Sequence, residues 1–567
     1  MARPEKIRLG DLLIQQKLIS HEQLQFALDQ QKASGRKLGR VLTDNAFVTE
    51  DDISEALSKQ LNIPFINLKY YNINLDVARR LTESQVRRFR ALALEERNGV
   101  LLVGMADPTD LFAFDELTRI FKHNIDLAVV TEGLLLETVD RVYRRTEEIS
   151  GLARELSDDL GDAYVDFGAL SDSVGAEEAP VVKLLQTVFN DATQIRASDI
   201  HIEPQEKNLR IRFRIDGMLH LQAEADRKIA SALVLRLKLM SGLDISEKRL
   251  PQDGRFNVRV REQAVDVRIS TMPTQYGESV VMRLLNQSGG FLTLDKLGMP
   301  PEMLVRFRDI IRRSNGMVLV TGPTGSGKTT TLYAALSEIN TPDQKIITVE
   351  DPVEYRLPGI NQVQVNEKID LTFSRVLRSA LRQDPDVVLV GEMRDTETAQ
   401  IGLRAAMTGH LVFSTLHTRD AAGTLFRLID MGTPKYMVAA SVQVVLAQRL
   451  LRRVCESCSE THNPSPQEIE WLSHEGIQRE HWGTLLRGRG CTHCNGTGYS
   501  GRLGIYEMLE MTQLLVEAAT HHDAIHFMQA AQKYMQGKTL LDRALEQMRL
   551  GHTSVSEVMR ISNQVED

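Results

Sequence analysis

The chain has 567 residues, more than a single hydrophobic core can serve, and its 42% hydrophobic and 25% charged residues are those of a folded, multi-domain protein rather than a disordered one. No run of about 18 apolar residues occurs, and the opening MARPEKIRLGDLL is charged where a secretory signal needs its apolar core; membrane-spanning and secreted classes are excluded, and a cytoplasmic protein is expected. The formal charge of −8 does not exclude anionic ligands, because residues 147–178 hold ten acids against Arg154 alone, a net −9 that leaves +1 for the remainder.

The N-terminus is a repeat. Arg8-Leu9-Gly10, with Leu13, Leu24, Leu28 and Gln31, returns 29 residues later as Lys37-Leu38-Gly39, with Leu42, Ile53, Leu57 and Gln60. Two 24-residue units, 8–31 and 37–60, are joined by the spacer 32–36. Ser20 and Thr49, each with acids just behind, break the apolar period and predict a capped helix pair in each unit. A cationic head suits phosphate, a terminal amide suits a base edge, leucine suits a base face and glycine permits close approach. Two copies point to a ligand with two equivalent halves.

After Pro64, short β-rich runs at 99–104 and 127–130 alternate with helical stretches, so a first domain is expected over 1–146. The acidic stretch 147–175 reads as a solvated linker. Period-two alternation at 209–217 and 256–260 predicts half-buried strands of a second α/β domain over 176–300. Beyond it, over 301–567, apolar runs at 317–320, 346–349 and 387–390 separated by helical segments predict a mainly parallel sheet covered on both faces.

Gly322-Pro323-Thr324-Gly325-Ser326-Gly327-Lys328-Thr329 fits the phosphate-binding loop GxxxxGK[ST], between a predicted strand and a helix opening at Thr330. Its backbone N–H groups would hold the phosphates of ATP, Lys328 would face the β- and γ-phosphates, and the Thr329 hydroxyl would ligate Mg²⁺. Strand 387–390 ends in Gly391-Glu392, where Glu392 is expected to act on Mg²⁺ through a water. Glu350, Asp351 and Glu354 crowd the end of another strand, where repulsion and burial favour a general base. His410 and His417 bracket a strand and, seven residues apart, fall on opposite faces; one can sense the γ-phosphate while the other contacts a neighbouring domain or subunit, or either is simply structural. Cys455-x-x-Cys458 and Cys491-x-x-Cys494 use every cysteine of the chain and predict a closed, structural Zn²⁺ site with a helical excursion between the pairs.

Together with TVEDPVEY, LVGEMRD and GHLVFSTLHT, and with ASDIHIEP, RFRIDG, LPQDGR and STMPTQYGESVVMRLL upstream, the loop resembles the type II secretion and type IV pilus assembly ATPase family over about residues 176–567. The resemblance implies a homohexamer of RecA-like P-loop domains with a zinc insertion (455–494) and a helical C-terminus, residues 176–300 closing over ATP. It also implies recruitment to the inner face of the cytoplasmic membrane by an inner-membrane platform protein. Within it, Glu354 orients or activates water, Glu392 sits at Mg²⁺, His417 belongs to the site, and Arg268 and Arg283 reach the phosphates. The repeat resembles the cyclic di-GMP-binding N-terminal domain of mannose-sensitive haemagglutinin pilus ATPases; Lys37 departs from it, keeping the charge but not arginine's fork. A type II secretion ATPase is the alternative within the family. A nucleic-acid motor would need a basic, aromatic strand-binding surface that the sequence lacks, so no nucleic-acid partner is expected, and a nucleotide-gated receptor would bind without turnover.

Overall fold

The computed structural model describes residues 9–34, 38–97, 99–143, 146–160, 180–260, 263–286, 292–477, 479–521 and 524–566. Arg8, Lys37 and the linker beyond 160 lie outside them.

Each repeat folds as the predicted helix pair: Leu9–Gln15 with His21–Ser34, and Leu38–Asp44 with Glu50–Leu61. The caps fall where the sequence put them. Ser20 Oγ accepts from Gln23 N at 3.2 Å while Gln23 Oε1 accepts from Ser20 N at 2.8 Å, and Thr49 closes the same box with Asp52. Gly10 has a packing reason: a Cβ there would lie 2.6 Å from Leu24 Cδ1, whereas one at Gly39 would lie 3.2 Å from Ile53 Cγ2. The following module is a three-stranded sheet, Ala91–Arg97, Val100–Met105 and Asn124–Val129, with its own core around Leu92, Leu101 and Leu117.

The expected linker begins as a helix, Thr146–Leu160, and does not run free. Ile149, Ala153 and Leu156 recur on one face and are buried in the core of the middle domain, so the acids of this stretch are compatible with an ordered amphipathic element. That domain is a six-stranded antiparallel sheet carrying the helices Pro180–Gln194 and Ala230–Ser241. The last domain starts earlier than expected, since Leu294, Leu297 and Met299 already belong to its core.

The third domain is built on a seven-stranded sheet in the order Asn361–Gln364, Ile346–Glu350, Val387–Val390, Leu411–Leu416, Gly316–Thr321, Val442–Val454, Tyr499–Glu510. All neighbours are parallel except the last pair. Gly316–Thr321, Val387–Val390 and Leu411–Leu416 are buried at every residue, as strands covered on both faces must be. Because Thr321 registers with Leu416 and Val390 with Ser414, the loops after these strands emerge at one edge of the sheet, where open α/β sheets bind ligands.

Candidate nucleotide site, metal cluster and N-terminal cavity

The loop 322–327 connects Gly316–Thr321 to the helix Lys328–Ile339. Gly327 (φ 89°) precedes this helix and has no side chain to cap it, so the first-turn N–H groups stay available to an anion. Gly322 (φ 147°) tolerates no side chain, because a Cβ would stand 2.6 Å from the Gln448 carbonyl. Lys328 Nζ donates to the carbonyls of Gly322 and Pro323 at 2.7 and 3.1 Å, folded back against the loop that would hold phosphate. Burial, together with the nearby Arg449, lowers its pKa to about 8. Among the described residues Ser326 Oγ, buried, has no hydrogen-bond partner, which makes it a donor available to a phosphate oxygen.

Two groups from neighbouring strands converge on this edge. His417 Nε2 lies 3.7 Å from Glu392 Oε2, and Arg394 grips the other carboxylate oxygen. Burial, then Lys328, keeps the His417 imidazole below its ordinary pKa and hence neutral near pH 7. His410 instead places Nδ1 3.1 Å from the Ala405 carbonyl, a local structural contact.

The acidic box divides its labour. Glu350 is 4% exposed and is held by Tyr333, by Thr348 Oγ1 at 2.5 Å and by Gln362 Nε2 at 3.2 Å, which makes it a structural carboxylate. Glu354 remains accessible, but its Oε2 is 2.9 Å from Arg268 Nη1. Arg268, expected at the phosphates, is therefore engaged by an acid of the neighbouring domain. Arg283 does face the loop: a cavity of about 1070 Å³ is walled by Arg283 and Arg214 of the middle domain and by Pro323 to Ser326, His417, Arg449 and Arg502 of the motor domain. Asp199, 6% exposed, aims Arg283 from 3.0 Å and Arg214 from 3.6 Å.

Sequence reasoning missed Gln448 and Arg449. Gln448 Nε2 donates to the Ser326 carbonyl at 2.6 Å and its Oε1 accepts from Thr331 Oγ1 at 2.8 Å, clamping the loop from the adjacent strand. Arg449 is 3% exposed and its Nη1 donates to the Gln448 carbonyl at 3.0 Å, so a buried guanidinium, within the field of Glu507 and Asp420, lies beneath the loop. Neither belongs to a spacing motif, and only the pairing of Val442–Val454 with Gly316–Thr321 brings them there.

The four cysteine sulfurs lie within 4.8 Å of one another, with Cys455–Cys491 at 3.9 Å and Cys458–Cys494 and Cys491–Cys494 at 3.8 Å. A tetrahedral zinc with Zn–S bonds of about 2.3 Å requires sulfur separations of about 3.8 Å, so the donor set fits that ion and leaves no open position. The turn is made by glycine: a Cβ at Gly488 would sit 2.0 Å from the Gly498 carbonyl oxygen. The helical excursion is present as Pro466–His474.

In the N-terminal domain a cavity of about 1250 Å³ is lined by Leu9, Leu38, Gly39, Arg40 and Ile53 of the repeats and by Arg88, Arg90 and Glu132 of the α/β module. Gly10, Gln31 and Gln60 are not among its walls.

Residues 175–560 match the family described as "Type II/IV secretion system protein", and residues 61–149 match the MshEN domain. The chain belongs to the type II/IV secretion system protein family. A "Type IV pilus assembly ATPase PilB" of Myxococcus xanthus is 40% identical over 95% of this chain and 98% of that protein. A "Type II secretion system ATPase E" of Vibrio cholerae is 43% identical over 86% of this chain and 97% of that protein. The Legionella pneumophila ATPase DotB, at 21% identity and TM-score 0.51 over 67% of this chain and 96% of its own, shares the fold. Family membership carries ATPase activity with it. Among the described residues no helix is long and apolar enough to cross a membrane.

Proposed function

We propose that the chain is a cytoplasmic assembly ATPase that works as a homohexamer, drives pilin addition through an inner-membrane platform protein, and is regulated by cyclic di-GMP. The observation that carries the motor is the shared sheet edge on which the phosphate loop, Glu392 and His417 meet, facing Arg283 across the interdomain cavity. Bound Mg²⁺, held by Thr329 and through water by Glu392, would neutralise charge on the phosphates. The loop N–H groups and Lys328 orient the phosphates, Glu354 orients or activates the attacking water, and Arg283 stabilises charge developing in transfer. His417, neutral and beside Glu392, reports the presence of the terminal phosphate.

The regulatory reading rests on the repeat, the MshEN match and the cavity beside the second unit, whose wall carries Arg40, Arg88 and Arg90 among acidic residues. The zinc reading rests on the sulfur geometry, and stoichiometric zinc in freshly purified protein, lost on Cys494→Ser, is expected. The Vibrio cholerae relative supports a second reading, secretion rather than pilus assembly. Disrupting the gene decides between them: loss of surface pili with secretion intact is expected, and loss of protein secretion with normal pili would transfer the role to secretion.

A further inference from the structure

The N-terminal domain touches the motor domain at the cysteine cluster. Lys69 Nζ meets Glu456 Oε2 at 2.6 Å, and the Ser457 hydroxyl donates to the Lys69 carbonyl. Glu456 and Ser457 are the two residues between Cys455 and Cys458, so the catch for Lys69 is the tip of the metal knuckle itself. Both charged partners are substantially exposed, at 40% and 51%, which makes this a weak contact able to open and close.

Each side of the contact leads directly to a ligand cavity. On the N-terminal side, Ile66 N donates to the Val129 carbonyl at 2.9 Å and Val129 N to the Pro64 carbonyl at 2.8 Å, tying the segment that carries Lys69 to the strand Asn124–Val129. That strand runs into Glu132, which faces Arg90 at 3.1 Å and Arg40 of the second repeat at 3.8 Å, both on the cavity wall. Gly133 N donates to Glu50 of the same repeat at 3.1 Å. On the motor side, Cys455 directly follows the strand Val442–Val454, the strand whose Gln448 clamps the phosphate loop.

We propose that the metal knuckle is the docking surface for the N-terminal domain, with Lys69 seated on Glu456 and Ser457, and that this contact passes occupancy of the N-terminal cavity to the phosphate loop. The transmission half rests on the cyclic di-GMP reading given above; the docking half does not. Structural zinc thereby gains a second task, since the four thiolates fix the conformation in which Glu456 and Ser457 are presented.

The test uses the full chain. A zero-length carbodiimide cross-link should join Lys69 to Glu456 in the wild type and change in yield when cyclic di-GMP is added. Lys69→Glu should keep unliganded ATP turnover and calorimetric affinity for cyclic di-GMP, yet lose most of the ligand-induced change in turnover. The charge exchange Lys69→Glu with Glu456→Lys should restore it. Absence of the wild-type cross-link overturns the docking, and an undiminished ligand response in Lys69→Glu overturns the transmission. If calorimetry detects no cyclic di-GMP binding to the wild type, the ligand reading fails by itself. In that case, faster amide exchange over residues 453–458 in Lys69→Glu upholds the docking surface, and unchanged exchange removes it.

Discussion

Arg268 of the middle domain and Glu354 of the motor domain are paired within one chain, Nη1 to Oε2 at 2.9 Å, while Arg268 Nη2 donates to the Val353 carbonyl at 2.9 Å. Arg268 is mostly buried, its Nε has no partner among the described residues, and burial lowers its pKa despite the pull of Glu354. An arginine so engaged does not reach a phosphate.

If the pair works as a unit, its members are not additive. Glu354→Gln should lower kcat by about 10²-fold or more, Arg268→Ala should lower it less, and the double variant should be no slower than Glu354→Gln alone. Steady-state kinetics on the three variants measure this, and fully multiplicative losses would show that the two residues act separately.

Lys328 should couple nucleotide binding to proton uptake. Without a phosphate its pKa is about 8, and a polyanion at the loop favours the charged form. Near pH 8 a substantial fraction of the free protein has Lys328 neutral, so binding takes up a proton; near pH 7 it is already charged and uptake is small. Calorimetry with a non-hydrolysable ATP analogue in buffers of different ionisation enthalpy should give buffer-dependent heats at pH 8 and nearly buffer-independent heats at pH 7. The reverse order would contradict the placement of the lysine.

Glu557 governs acid stability at the C-terminus. It is fully buried and accepts from Arg452 Nη2 and Arg560 Nη2, each at 2.7 Å, fastening the helix Val555–Glu566 to the strand Val442–Val454. Burial alone would raise its pKa, but the hydrogen bonds from Arg560 and Arg452 outweigh it and hold the carboxyl below its ordinary 4.5. The stabilisation is therefore present above that value and lost as pH falls through the lower folded-state value. Glu557→Gln should destabilise the motor domain by about 3 kcal/mol at pH 7 and flatten its acid dependence, as read by denaturant unfolding at several pH values.

Most of the fold and the centre of the site were legible because they rest on local rules. Ser20 and Thr49 signal helix starts by their own side chains, and Gly322 and Gly327 mark a loop that only glycine can make. The sulfur cluster was legible from two short spacings. Illegible features depend on partners distant in sequence: Gln448 beneath Ser326, Asp199 aiming Arg283, and Lys69 on Glu456. The contact of Gly10 with Leu24 is likewise illegible, because a small residue in a helix gives the same signal for a ligand and for a packed neighbour. The acids of 147–160 were read as a linker because charge density masked the buried stripe of Ile149, Ala153 and Leu156.

The most direct test of the central claim is steady-state ATP hydrolysis by the purified full chain with Mg²⁺, wild type against Lys328→Ala, both confirmed folded by circular dichroism. The account predicts Mg²⁺-dependent turnover in the wild type and its loss in the variant. Equal turnover in the two proteins would contradict the assignment of the phosphate loop as the seat of hydrolysis.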